Sequence, residues 1–235
     1  MMPLEAQLPF LNTKGHIVSL VGGGGKTTLM YAMARLCAAE GWRVLVTTTT
    51  HIQRPKAFWA QTIEERNVHW NAGNYAVAGL PAENGKLKSL PPDQLRRWMD
   101  GADIVLIEAD GAKRLPCKAP AEHEPVILPE SDIVLAVAGL SAGERPLKEV
   151  CFRLEKACAL LDATPETPIT PPLLAKLLAS DSGGRKSVND RTFYAVLNQV
   201  DTPQRQKFGA KTQEILQKKY AIRCILTAFE EVERA

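Results

Sequence analysis

Residues 22–28 read Gly-Gly-Gly-Gly-Lys-Thr-Thr and stand between a short apolar run, His16 to Val21, and a helical pattern, Thr27 to Glu40. Between a strand and a helix, glycines let the chain adopt positive φ and bring successive N–H groups onto one phosphate. The N-terminus of the following helix adds its partial positive charge at the same point. In this reading Gly22, Gly23, Gly24, Gly25 and Thr28 form the cradle, Lys26 reaches the β- and γ-phosphates, and the Thr27 hydroxyl ligates Mg²⁺. The turn requires a strand before it and a helix after it.

The rest of the chain repeats that order. Arg43 to Thr47, Asp103 to Glu108, Asp132 to Ala138, Thr192 to Leu197 and Ile222 to Leu226 are further strand candidates, several apolar on both faces. Such strands are expected where helices cover both sides of a parallel sheet. Leu29, Met33, Leu36 and Cys37 share one face of the first long helix, with Gly41 placed as its C-cap, and Pro203 to Tyr220 reads as another helix. The expected fold is a P-loop NTPase-like α/β domain over residues 1–235, with a mostly parallel, doubly wound sheet of about six strands. Val68 to Trp70, Tyr75 to Ala78 and the Asn84-Gly85 turn predict a small hairpin insertion over 66–91. Residues 112–130 carry Pro116, Pro120, Pro125 and Pro129 and few helix signals, which predicts a long functional loop. Leu147, Val150, Cys151, Leu154, Cys158 and Leu161 step at helical intervals, so their thiols are expected on a buried helix face.

A phosphate loop needs an acidic partner at a neighbouring strand end. Glu108 and Asp110 lie on one side of an extended chain, and Glu108-Ala-Asp-Gly111 has the spacing of a D-x-x-G switch with Glu first. Glu108 is then the expected metal-assisting acid, Asp110 the candidate to orient a water, and Gly111 the γ-phosphate sensor. Lys26, Glu108 and Asp110 form the expected catalytic set. In the run Thr47 to Thr50, the hydroxyls of Thr49 and Thr50 are candidates to face the metal or γ-phosphate. His51 is a candidate acid–base group, although β-branching alone also suits a strand here. Lys113, Arg114, Lys118 and His123 suggest a second anion site. The charges of Glu122 and Glu124 read as solvated, and the lysine-flanked Cys117 reads as a thiol of lowered pKa. Asn198-Gln-Val-Asp201 resembles the N-K-x-D element that reads guanine, with Gln199 in place of lysine; Asp201-Thr-Pro203 is equally a good helix start.

Composition narrows the field. With 29 basic and 26 acidic residues the net charge is +3, and no Lys/Arg block occurs, so nucleic acid is not an expected partner. No apolar run approaches the ~20 residues of a membrane span, and the N-terminal stretch lacks a signal-peptide pattern. Five cysteines without a C-x-x-C pair argue against a disulfide framework or structural zinc. A cytoplasmic location is the expectation.

The glycine loop lacks the first glycine of a full Walker A motif, since Leu20 stands there. The shorter form resembles the loop of Mur ligases, and a neighbouring variant occurs in metallochaperone-type P-loop proteins, where a lysine often replaces Val21. Taken whole, the chain resembles the YqeC family. The resemblance is carried by Val21 to Thr28, Thr47 to Ile52, Glu108 to Pro116, Lys118 to Pro125, and Asn198 with Asp201; residues 1–14 and the insertion carry none of it. It implies an accessory protein for selenium-dependent molybdenum hydroxylases, with such a hydroxylase or its cofactor-maturation proteins as partner. The cofactors expected are Mg²⁺ with ATP or GTP, and a homodimer is compatible with the sequence. A slow nucleoside triphosphatase is the leading reading. An ATP-dependent ligase or kinase acting on an anionic small molecule, or a nucleotide-switched scaffold, are the alternatives.

Overall fold

The computed structural model describes residues 2–229; Met1 and 230–235, which the single-domain reading includes, lie outside the described residues. After a short helix α1 (Leu4–Gln7), strand β1 (His16–Gly22) runs into the glycine loop and helix α2 (Lys26–Ala39). Gly41, at φ +76°, follows the helix end as expected. Next come β2 (Val44–Thr48), β3 (His51–Gln53), β4 (Trp59–Ala60), α3 (Ile63–Asn71), β5 (Ala76–Ala78), β6 (Leu80–Ala82), β7 (Lys86–Lys88) and α4 (Pro92–Met99). The second half holds β8 (Ile104–Glu108), β9 (Cys117–Lys118), β10 (Ile133–Gly139), α5 (Leu147–Val150), β11 (Cys151–Phe152) and α6 (Leu154–Leu161). It closes with α7 (Pro171–Ala179), β12 (Thr192–Asn198), α8 (Pro203–Tyr220) and β13 (Arg223–Leu226).

The main sheet is parallel throughout, in the order β13-β12-β10-β1-β8-β2-β5-β4. From β1 the chain moves to one side, towards β2, β4 and β5; after β8 it crosses to the other, towards β10, β12 and β13. That reversal at β1 opens a crevice at the carboxyl edge of the sheet, where the glycine loop lies. Strand residues alternate between layers. Leu135 and Val137 pack with Leu29, Met30 and Met33 of α2, while Val134, Ala136 and Ala138 pack with Leu174 and Leu177 of α7 and Phe208 of α8. On the same side as α7, farther along the sheet, Leu45, Val105 and Ile107 pack with Trp70, Leu95 and Trp98. All six expected strands form, and both faces are covered.

Three local expectations change. Val68 to Trp70 belong to helix α3, because Thr62 caps it by accepting the Glu65 N–H at 3.2 Å. Tyr75 to Ala78 mostly joins the main sheet as β5, so the antiparallel insertion is the smaller β6–β7 hairpin, extended by β3. The Leu147 to Leu161 helix is broken: Arg153 sits at φ +64°, and Cys151–Phe152 instead pairs with Cys117–Lys118. Cys151 is buried within that small sheet rather than on a helix, and Cys158 is only half-buried.

Candidate functional site

The loop is fixed from below before any ligand is considered. The Gly22 N–H donates to both carboxylate oxygens of Asp110 at 3.1 and 3.0 Å, Gly23 N–H to Val137 O at 2.9 Å, and Gly24 N–H to Leu115 O at 3.1 Å. Gly24 cannot be another residue: at φ +73° a Cβ there would lie 2.1 Å from Gly139 N and 2.7 Å from Pro116 O. The Asn198 side chain donates to Gly24 O at 3.1 Å, tying the end of β12 to the same turn. With those amides committed, the donors left facing the crevice are those of the helix start. Helix α2 opens at Lys26 with Gly25 as N-cap and no side chain capping it. The first N–H groups of a helix have no partner within it, so this end presents donors and a positive dipole to the cleft.

Beneath the loop lies a buried charge cluster. Lys26 Nζ donates to Gly22 O at 2.6 Å and stands 3.2 Å from Asp110 and 3.7 Å from Glu108. Burial by itself would lower the Lys26 pKa; Asp110 and Glu108 outweigh it and hold the ammonium above its ordinary value. The Glu108 carboxyl is raised by burial, against the pull of Lys26 and Thr27. The register Leu20↔Glu108 sets this carboxylate beside the loop, where the Thr27 hydroxyl donates to it at 2.6 Å.

The cluster continues away from the loop. Lys118 Nζ lies 2.9 Å from Asp110 and 2.7 Å from Glu124 and donates to Gly111 O at 2.6 Å. Arg153 pairs with Glu124 at 2.8 Å. Lys26, Lys118 and Arg153 therefore face Glu108, Asp110 and Glu124, three cations against three carboxylates. Lys118 is inside this network rather than in an open anion loop. Glu124, expected as a solvated charge, is buried because Lys118 and Arg153 neutralise it. Burial would raise its pKa, but those two partners bring it down to about 2. Asp110 has both oxygens engaged by Gly22, Lys26 and Lys118, so orienting a water would require it to give up one of them.

The remaining expected residues are more dispersed. Thr47, Thr48 and Thr49 donate their hydroxyls to Ala78 O, Glu108 O and Val126 O, so three of the four threonines serve the backbone. Thr50 and His51 reach a cleft wall, with Gly111 and Lys113. Arg114 lines the space around the helix start, and Glu122 and His123 are exposed. Among the described residues no cluster of His, Cys, Asp and Glu could hold a metal unaided. Cys117 is not activated: it is buried, and the neighbouring Cys151 thiol and burial push it well above its ordinary value. Asp201 pairs with Arg205 at 2.5 Å one turn into α8, and Thr202 rather than Asp201 caps that helix. A small space beside the loop is lined by Gly25, Thr28, Asn198, Gln199 and Phe229.

The helix start opens into a cleft of about 600 Å³ walled by Gly24 to Thr28, His51 to Gln53, Lys86, Glu108, Gly111 to Leu115 and Gln199. Lys86 was not expected here. Its signal was the Lys86-Leu87-Lys88 alternation, which buries Leu87 and turns both lysines outward.

The family model described as YqeC protein matches residues 18–155, which include the glycine loop, the threonine run and the Glu108 to Pro125 block. This chain belongs to the YqeC family. It is 32% identical over 181 residues, covering 73% of this chain and 71% of the relative, to a protein of Escherichia coli (strain K12) called Uncharacterized protein YqeC. The Asn198 to Asp201 stretch lies beyond the part matched by the family model. Among the described residues no helix is long and apolar enough to cross a membrane.

Proposed function

We propose that this YqeC-family protein binds a magnesium nucleoside triphosphate, ATP or GTP, at the glycine loop and hydrolyses it slowly. The observation that carries the reading is the uncapped start of α2, with Lys26 at its first position and the Thr27 hydroxyl on Glu108. The donor set suits the group: a hydroxyl and a carboxylate offer only oxygen, and Mg²⁺ is commonly held by one or two such side chains together with phosphates. A bound Mg²⁺ would be held by Thr27 and Glu108 and would supply charge neutralisation to the phosphates. The backbone donors of Gly25 to Thr28 would bind phosphate oxygens, and Lys26, by turning from Asp110, would offset charge on the outer phosphates. The walls formed by Gly111 to Leu115 would limit water at the reacting end.

The biological setting proposed is maturation of a selenium-containing molybdenum hydroxylase, with that enzyme or its cofactor-maturation proteins as partner. Its support is the family resemblance carried by the loop, the threonine run and the Glu108 to Pro125 block. Calorimetric titration with Mg-ATP and Mg-GTP tests the nucleotide reading. Binding of at least one is expected, and silence towards both at millimolar concentration would refute it.

A further inference from the structure

Next to the glycine loop lies a second, larger cleft, of about 950 Å³, whose lining does not include the helix start. That volume is near the upper end of the roughly 300–1,000 Å³ that small-molecule sites occupy. Its walls come from five separate stretches of chain: Thr50 and His51, the β6–β7 hairpin, the turn at Gly111 and Lys113, Glu124, and the Phe152–Arg153 corner. Three of the five contribute a lysine or arginine. Lys86 and Lys88 project from the hairpin, Lys113 from the turn and Arg153 from the corner. The carboxylates in the lining are Glu83 and Glu124, and Glu124 is already neutralised by Lys118 and Arg153.

Among the described residues, Lys86, Lys88 and Lys113 have no ion-pair partner, and they differ from other unpaired lysines, such as Lys207 and Lys211, in lining one cleft together. The positions of two of the cations are fixed by an aromatic ring. Arg153 lies 4.6 Å and Lys113 5.3 Å from the Phe152 ring centre. Cation–π contact holds charged heads in place without neutralising them. Converging cations that outnumber the carboxylates beside them, in a concave space, are what a phosphate-bearing ligand requires.

We propose that this cleft binds a phosphate-bearing small molecule, distinct from the nucleotide, as a second substrate or effector. The two spaces share His51, Lys86, Gly111 and Lys113, so the second ligand lies beside the space that opens from the helix start. Its role as a second substrate rests on the nucleotide reading; its affinity for phosphate does not. The ammonium groups of Lys86, Lys88 and Lys113 bind phosphate oxygens directly, and Arg153 keeps Glu124 while presenting its outer N–H groups.

The test is a lysine-acetylation footprint read by mass spectrometry, with millimolar inorganic pyrophosphate as the probe. It is run on the free protein and on protein saturated with a non-hydrolysable magnesium nucleotide analogue. Protection of Lys86, Lys88 and Lys113 in both arms, with Lys207 and Lys211 unaffected, is expected. In the variant Lys88→Gln/Lys113→Gln, pyrophosphate affinity should fall about tenfold or more, as lost charge-assisted contacts predict. Protection that disappears when the analogue is present assigns these cations to the nucleotide's own phosphates and overturns the proposal. Unselective labelling in both arms overturns it as well. Failure of the analogue to bind, seen by direct titration, counts against the nucleotide reading alone, because the free-protein arm still reports on the cleft.

Discussion

Replacing Glu124 by Gln keeps the side chain's shape and one acceptor oxygen but removes the charge that Lys118 and Arg153 were positioned to meet. In the folded protein the Glu124 pKa falls to about 2 from an ordinary value of 4.5, because its two cationic partners outweigh its burial. At about 1.4 kcal/mol per unit, that difference sets an upper bound of about 3 kcal/mol on what the charge contributes at neutral pH. Arg153 is about a quarter exposed (26%) and partly screened by solvent, which brings the expected figure nearer 2 kcal/mol. The direction with pH follows from the depressed value. The contribution is fully present above pH 4.5 and is lost as the pH falls towards about 2. More than half of it is gone by pH 3. Urea denaturation of wild type and Glu124→Gln at pH 7 and pH 3 reads this directly, since other carboxylates titrate alike in both proteins. The variant should be less stable by about 2 kcal/mol at pH 7, and the gap should shrink to less than half by pH 3. A gap of equal size at both pH values would show that Glu124 acts through shape alone and would refute the charge-network argument.

Gly24→Ala should cost roughly 3 kcal/mol in chemical denaturation, combining a left-handed Ala with an overlap against backbone that no rotamer relieves. Gly41→Ala, also at positive φ but with open space around it, should cost only about 1 kcal/mol; equal losses would contradict the packing of the loop on Gly139. Thr27→Val should weaken magnesium-dependent nucleotide binding about tenfold while leaving magnesium-free binding unchanged, as measured by calorimetry with and without chelator. In native protein a thiol reagent at pH 8 should modify Cys158 first, since Cys37, Cys117, Cys151 and Cys224 are buried; early modification of Cys117 would overturn its placement in the small β9–β11 sheet.

The parts of this molecule that could be read from sequence are those whose cause is local. Six strands were legible because each is an apolar run bounded by a turn signal, and the glycine loop because its neighbours on both sides had the right periodicity. Strand β4 was not, being two residues long and held by the strand beside it; β5 was legible as the extended run Tyr75 to Ala78, but its place in the main sheet is set by β2 rather than by its own pattern. Helix α3 does carry a local signal: Thr62 and Glu65 have the spacing of a capping box, and it outweighs the extended reading of Val68 to Trp70. The Leu147 to Leu161 periodicity misled for the opposite reason, since a kink at Arg153 is rewarded by pairing with distant Cys117 and Lys118. Glu124, Lys118 and Arg153 illustrate the general limit. A charged residue in a proline-rich loop reads as solvated unless its partners are known, and here one of them lies 29 residues farther along the chain.

The balance of the buried cluster constrains how the proposed nucleotide site attracts its ligand. Without ligand, three cations already answer three carboxylates, so Lys26 offers no net charge to an approaching polyphosphate. Its interaction with phosphate is won only by giving up contact with Asp110 and Glu108, and Asp110 then depends on Lys118 and the Gly22 N–H for neutralisation. Attraction must come from groups that have no partner to surrender: the N–H donors of the α2 start, its dipole, and the Arg114 guanidinium along the wall. Those sources are weak or solvent-screened, and a triphosphate brings more negative charge than they offset. On the proposed reading the site is consequently poor without Mg²⁺, and the metal is what makes burial of the outer phosphates beside Glu108 electrostatically tolerable. A nucleotide bound equally well with and without Mg²⁺ would mean that the carboxylate pair is not close to the phosphates at all.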